Sequence, residues 1–301
     1  MKLLSHYIQN QGDRRHDIVN WENNLINDFL CYSSRSTHYD TATFPSSLHS
    51  HDYYEVVIFA EGEVNYVCES SVYLPKRGDV IIIPPGKFHM SRLKGKSTYY
   101  RRHVFYLYPN AFDAVGGCLS DILTESGEDV LFSLPSRESS EELLSLAEKL
   151  GAVMKKGGEL NAALGLAYII EIFCLLNRKV IRHSGDTKSL PENILALKEF
   201  LDAHFAEIES VSEVAEHFFY SREYISRLFK KYYDTTVMDY IHELRIAKAK
   251  SLISEGMPII DVCFAVGFSS LSTFIRTFRR ATDMTPSEYR KIVRSDSIDV
   301  R

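Results

Sequence analysis

Two groups of residues in this chain of 301 have types and spacings that could do chemistry. The first is His49, His51 and Glu55, with His89 further on. His49 and His51 are separated by one residue, so on a strand both imidazoles point to one side, with Glu55 two alternations along. If a neighbouring strand carries His89, three imidazoles and one carboxylate converge, a donor set suited to a first-row metal ion. The same groups could equally serve as the polar lining of a pocket or as strand scaffolding. The second group is cationic: Arg227, Lys230 and Lys231 in one segment, Arg276, Arg279 and Arg280 in another. An arginine on an exposed helix face can bond a guanine edge bidentately, a contact worth about 1–3 kcal/mol of discrimination. The trailing Lys230, Lys231, Arg279 and Arg280 suit phosphates, where they position rather than specify.

The cationic segments are copies of one pattern. Arg227 and Phe229 recur as Arg276 and Phe278, Asp234 as Asp283 and Tyr240 as Tyr289, all at an offset of 49. Each copy follows a short helical stretch, Val211 to Phe218 and Ile259 to Val266. Each therefore reads as helix, tight turn and basic helix, the sequence form of a DNA-binding helix-turn-helix. Ile225, Leu228 and Phe229 anchor the first basic helix, Phe274 and Phe278 the second. A rigid connecting helix, with Ile241, Leu244, Ala247, Ala249, Leu252 and Ile253, would hold the pair about one turn of DNA apart.

The histidines need strands. Glu55–Ala60, Glu63–Cys68, Asp79–Pro84 and Thr98–Tyr108 are rich in Val, Ile, Tyr and Phe. Turn residues at Glu61-Gly62, Pro75, Arg77-Gly78 and Pro84-Pro85-Gly86 separate them, and this spacing suggests a sandwich or barrel. After Pro109 the pattern becomes helical. Ser139 with Glu142 predicts a capping box, followed by Leu143, Leu146, Leu150 and Val153. Gly157-Gly158 ends that helix. The next, about 159–182, is apolar nearly all round and must be covered on several sides, one of them by a second subunit. Polar residues 183–190 read as a linker. Helices are then expected at about 191–206, 211–218, 221–232, 236–254, 259–266, 270–281 and 286–293, with Pro191, Pro258 and Pro286 where helices start.

Composition narrows the classes. The chain is 45% apolar and 25% charged, which argues against disorder or a fibrous protein. Its net charge of −5 means that DNA binding must come from local patches. Such patches exist: residues 221–234 carry four basic side chains against two acidic, and 270–283 carry three against one. Cysteines 31, 68, 118, 174 and 263 are odd in number and scattered, which points to a reducing compartment. The N-terminus has no apolar signal core, and the run Ala162 to Leu176 is too short to span a bilayer and contains Glu171. A cytoplasmic protein with no membrane partner is expected.

Arg245-Ile246-Ala247-Lys248-Ala249-Lys250, Gly267-Phe268-Ser269-Ser270, Phe274-Ile275-Arg276-Thr277-Phe278-Arg279 and Met284-Thr285-Pro286-Ser287-Glu288-Tyr289-Arg290 resemble the AraC/XylS family signature. The likeness covers about a hundred residues in order and spacing. It implies base contacts from Glu223, Ser226 and Arg227 in the first helix and from Leu271, Ser272, Ile275 and Arg276 in the second. Asp234 and Asp283 stand where the family usually has Gly, and Cys263 where it has Ala. Asp tolerates the left-handed conformation better than most residues, so a helix C-cap survives there. The N-terminal half is similar to the cupin motifs: His49-x-His51-x-x-x-Glu55 before Gly62, then Gly78 and Pro84-x-Gly86-x-x-His89, with Leu93 in place of the second motif's usual Asn.

Three readings of the barrel follow: a metal-dependent enzyme, a metal-assisted sensor using His49, His51, Glu55 and His89, or a metal-free pocket for a small sugar-like effector, which the resemblance favours. Tyr53, Tyr54, Tyr66 and Phe88 offer rings on which a sugar could stack. The expected protein is α+β: a cupin-like β-barrel over 1–135, a helical dimerisation segment over 136–182, a linker over 183–190 and an all-α domain with two helix-turn-helix motifs over 191–294. It is read as a non-enzymatic DNA-binding regulator, an activator by family habit, without a cofactor. The expected effector pocket is His49, His51, Glu55, Tyr66 and His89. The expected partners are double-stranded DNA, a sugar, RNA polymerase and a second copy of the chain.

Overall fold

The computed structural model describes residues 22–27, 30–40, 48–51, 53–94, 97–113, 117–124, 131–156, 158–179, 181–182 and 187–296. These form two compact units. One contains the described residues of 22–40 and 51–188, the other those of 46–50 and 189–296.

The first unit is built on two sheets. Its strands are β1 (Glu22–Asn27), β2 (Leu30–Asp40), β3 (Tyr54–Glu61), β4 (Val64–Cys68), β5 (Ser71–Tyr73), β6 (Val80–Ile83), β7 (His89–Leu93), β8 (Ser97–Leu107), β9 (Leu131–Ser133), β10 (Ile181–Arg182) and β11 (Thr187–Ser189). The larger sheet runs β1-β2-β8-β3-β6-β9-β10 and the smaller β11-β5-β4-β7. β3 reads Tyr-Glu-Val-Val-Ile-Phe-Ala-Glu without polar alternation because both of its faces are covered. Val56, Ile58 and Ala60 share one face with Phe105 and Leu107 of β8 and join the core beneath the helices. Glu55, Val57 and Phe59 occupy the opposite face, paired across to Tyr106, Val104 and Arg102.

The helical part contains α1 (Asp121–Thr124), then the hairpin of α2 (Arg137–Lys156) and α3 (Glu159–Lys179). Leu143, Leu144, Ala147 and Leu150 of α2 meet Ile169, Ile172, Phe173 and Leu176 of α3 in one buried cluster with the sheet. Each such large side chain contributes about 1.5–3 kcal/mol on burial. Two local expectations are corrected. Ser136, not Ser139, caps α2, its Oγ accepting from the Ser139 N–H at 3.1 Å, while Ser139 is buried inside the helix. The apolar helix ends at Lys179 rather than 182, and 181–182 and 187–189 add short strands to the two sheets.

The second unit is helical: α4 (Glu192–His204), α5 (Val211–His217), α6 (Arg222–Tyr233), α7 (Val237–Ser254), α8 (Ile259–Ala265), α9 (Leu271–Thr282) and α10 (Pro286–Asp296). Hydroxyls of Ser210, Ser221, Thr236 and Ser270 accept from backbone N–H groups three residues on, capping α5, α6, α7 and α9. Asp234 and Asp283 end α6 and α9 at φ 51° and 62°, in the left-handed conformation expected of them. Arg245 of α7 is buried, its Nε donating to the Phe205 carbonyl at 2.9 Å and its Nη2 to that of Ile208 at 2.7 Å. This family-signature arginine ties the chain between α4 and α5 to the connecting helix.

Candidate DNA-reading helices and ligand-facing interior

The two basic helices bury the same stripe. α6 buries Ile225, Leu228, Phe229 and Tyr233, and α9 buries Phe274, Thr277, Phe278 and Thr282. Each buried residue has its counterpart 49 positions later, at the i, i+3, i+4 and i+8 spacing of a single helix face. What remains outward is therefore matched as well. Glu223, Ser226 and Arg227 are exposed on α6, and Ser272 and Arg276 on α9. Leu271 and Ile275 are half-buried, packed against the edge of the α9 core. Among the described residues neither Arg227 nor Arg276 has a carboxylate within 4.0 Å, so both guanidinium groups are available to a partner outside the unit.

The trailing cations differ. Lys230 donates to the Asp234 carbonyl at 2.6 Å and lies 3.3 Å from its carboxylate, so its ammonium closes the end of α6. Lys231 lies 5.1 Å from the Tyr232 ring centroid. Arg280 is 4.0 Å from Asp239 and largely exposed, where an ion pair is worth little. Arg279 is also exposed.

In the first unit, Glu55 of β3 and His89 of β7 meet between the sheets. Glu55 Oε2 lies 3.2 Å from His51 Nε2 and 3.3 Å from His89 Nε2. Each imidazole turns its Nδ1 to a backbone carbonyl, His51 to Tyr53 at 2.7 Å and His89 to Lys87 at 3.0 Å. A carbonyl only accepts, so both Nδ1 atoms carry protons. Both Nε2 atoms then face one carboxylate oxygen, and the trio must hold an additional proton or a cation. Burial pushes the Glu55 carboxyl up, but the hydrogen bonds from His51 and His89 outweigh it and hold the group well below the usual range. Burial lowers His51 below its ordinary value, against the opposing pull of Glu55. Imidazole nitrogen and carboxylate oxygen are donors suited to a first-row divalent ion, but His51 is not in the set of described residues whose ligand atoms all lie within 4.8 Å of one another. The trio of His51, Glu55 and His89 fits a hydrogen-bonding pocket wall. The Tyr53 ring stacks on His51 at 4.1 Å and 6°. His49 is half-buried and lies in the 46–50 segment, which groups with the helical unit. Tyr54 is half-buried, and Phe88 is buried.

Farther along the same interior, Tyr66 of β4 meets Tyr100 of β8 hydroxyl to hydroxyl. Arg102 donates from Nη1 to both oxygens, at 3.2 and 3.1 Å, with its guanidinium 5.1 Å from the Tyr100 ring centroid. Of this cluster the motif reasoning found Tyr66 alone. The available signal was the alternation of Tyr100 and Arg102 in β8, which puts both on the inward face. On the outer face, His103 is buried with Nδ1 2.7 Å from the Tyr32 hydroxyl, which donates to the Ala147 carbonyl at 3.0 Å. Burial, with help from Arg101, lowers His103 to about 4.

A β unit with buried polar side chains between its sheets, followed by a helical unit with two matched, arginine-bearing helix-turn-helix motifs, is the architecture of a ligand-responsive DNA-binding protein. The model of the AraC-like ligand binding domain matches residues 34–168 and that of a helix-turn-helix domain matches 214–292. The HTH-type transcriptional regulator YbfI of Bacillus subtilis is 28% identical over 239 residues, covering 76% of this chain and 80% of its own. The arabinose operon regulatory protein of Salmonella typhimurium is 26% identical, covering 78% and 82%. The transcriptional activator RhaS of an Enterobacter species is 27% identical, covering 83% and 88%. The chain belongs to the AraC family of transcription regulators, and double-stranded DNA is its partner.

Proposed function

We propose that this regulator senses a small molecule, a carbohydrate by analogy with the arabinose and Rha relatives, in the interior of its β unit, and passes that signal to promoter DNA. The reading assigns base contacts to Glu223, Ser226 and Arg227 on α6 and to Leu271, Ser272, Ile275 and Arg276 on α9. Lys231, Arg279 and Arg280, with Lys230 in a lesser role, take phosphates. The pocket is assigned to His49, His51, Glu55, Tyr66 and His89. The effector and dimerisation functions fall in residues 1–135 and 136–182, the linker in 183–190 and DNA binding in 191–294. The protein is cytoplasmic, acts without catalysis and activates by recruiting RNA polymerase.

The observation that carries the DNA reading is the shared buried stripe, which leaves Arg227 and Arg276 at equivalent outward positions. Dimerisation through α3 is supported by Leu160, 84% exposed, and Leu164 one turn later, 43% exposed. Two leucines exposed on one helix face make a surface suited to a second copy. Effector binding and DNA binding are coupled, so each must change the affinity of the other by the same factor. The test is titration of the protein onto its own promoter region with and without a sugar that raises its melting temperature. A change in DNA affinity or in promoter output supports the proposal. Identical affinity and identical output in both conditions reject it.

A further inference from the structure

Among the described residues, the interior of the β unit holds a cation, Arg102, that hydrogen-bonds to no carboxylate. Arg102 of β8 pairs across the sheet with Phe59, on the face shared by Glu55 and Val57. Its hydrogen-bond partners among the described residues are the Tyr66 and Tyr100 hydroxyls, both neutral acceptors. Burial raises the pKa of each phenol further, so neither supplies a negative charge near neutral pH. The Nε atom is sealed from solvent and has no hydrogen-bond partner among the described residues. The interior carboxylate, Glu55, acts on Arg102 through space, but its hydrogen bonds go to His51 and His89 and not to the guanidinium. Arg102 as a whole remains half-buried, so a molecule entering between the sheets can reach it.

A buried charge without a counterion is strongly disfavoured, and a buried donor without an acceptor adds to that cost. What Arg102 presents is donors only, in the fork geometry that matches a carboxylate. The opposite end of the interior differs: there Glu55 and two imidazoles offer a mixed donor and acceptor wall suited to hydroxyl groups.

We infer that the effector is an anion, a small polyhydroxylated carboxylic acid whose carboxylate pairs with Arg102 beside Tyr66 and Tyr100 while its hydroxyl groups face the His51, Glu55 and His89 end. This rests on the reading that the interior is the effector site, and it narrows the ligand class from neutral sugars to sugar acids.

The test is thermal melting of the full chain at pH 7 with D-glucuronate and D-galacturonate against D-glucose and D-galactose. A uronate at a hundred times its Kd should raise the midpoint by roughly 5 °C, its neutral parent by far less. Arg102→Gln should weaken uronate binding by about tenfold or more, and Arg102→Lys, which keeps the charge but loses the fork, by less. If Arg102→Gln loses its cooperative transition, Arg102→Lys and Tyr66→Phe carry the test, each expected to weaken the uronate and not the neutral sugar. A neutral sugar that binds while its acid does not, or uronate binding that survives Arg102→Gln unchanged, overturns the anion and leaves the effector site standing. Silence from all four compounds overturns both.

Discussion

The two helix-turn-helix motifs bury the same stripe of side chains but solve the turn before it differently. In the first, four residues, 218–221, link α5 to α6; in the second, five residues, 266–270, link α8 to α9. Both turns pass through the left-handed region two residues past the end of the leading helix, at Phe219 with φ 56° and Gly267 with φ 88°. Gly267 is dictated by packing as well as by φ. A Cβ there would lie 2.1 Å from the Ala206 carbonyl oxygen, inside any permitted contact. Phe219 has solvent around it, 96% exposed, and bears only the strain of its own backbone. A recognition helix thus constrains its buried stripe tightly, while the turn that delivers it is constrained only as far as its surroundings press on it.

The contrast can be broken at its strongest point first. Gly267→Ala is expected to destabilise the helical unit by about 3 kcal/mol or more, because strain and a backbone clash act together. A loss below about 1 kcal/mol in denaturant unfolding would mean that the Ala206 contact yields easily. Arg276→Ala should cost about 1–3 kcal/mol at one base pair and relax selectivity there, and Arg227→Ala should do the same at a different base pair. Equal losses on every operator variant would reduce both arginines to phosphate contacts. Phe219→Gly should stabilise the protein by about 1 kcal/mol, the gain from relieving left-handed strain in an L residue less the entropy glycine adds to the unfolded chain. No gain would show that the exposed ring is held by something outside the unit. The smallest effect separates the lysines. Lys231→Ala should flatten the salt dependence of DNA binding by about one unit, and Lys230→Ala by less, since Lys230 is already engaged by Asp234. Equal slopes would show that DNA displaces the Asp234 contact.

The helical unit was legible in the sequence almost element by element, because its periodicity, Ser and Thr caps and internal repeat all point the same way. Asp234 and Asp283 as left-handed caps were legible too, from their place where the resembled family has Gly together with the tolerance of Asp for that conformation. The β unit was harder. β3 and β6 announce themselves as apolar runs, but β2 reads Leu-Cys-Tyr-Ser-Ser-Arg-Ser-Thr-His-Tyr-Asp and carries no comparable hydrophobic signal. Its strand conformation comes from pairing with β8 along its whole length, a long-range effect that local propensity does not contain. The strand β7 was hidden inside the histidine motif, and β10 and β11 lay in stretches read as helix end and linker. In the interior, His51, Glu55 and His89 were found from spacing. Tyr100 and Arg102 share a face by their spacing of two, but which face of β8 turns inward is set by its pairing with β3, which the sequence does not show.

The proposed recognition of DNA depends most on α6 and α9 reading separate base pairs with equivalent arginines. The direct measurement is a base-by-base scan of the operator by quantitative DNA binding with wild type, Arg227→Ala and Arg276→Ala. Each substitution should erase selectivity at its own position, the two lying about one helical turn, 10–10.5 base pairs, apart. Retention of the full wild-type base preference by both variants would contradict the assignment of these helices as readers of sequence.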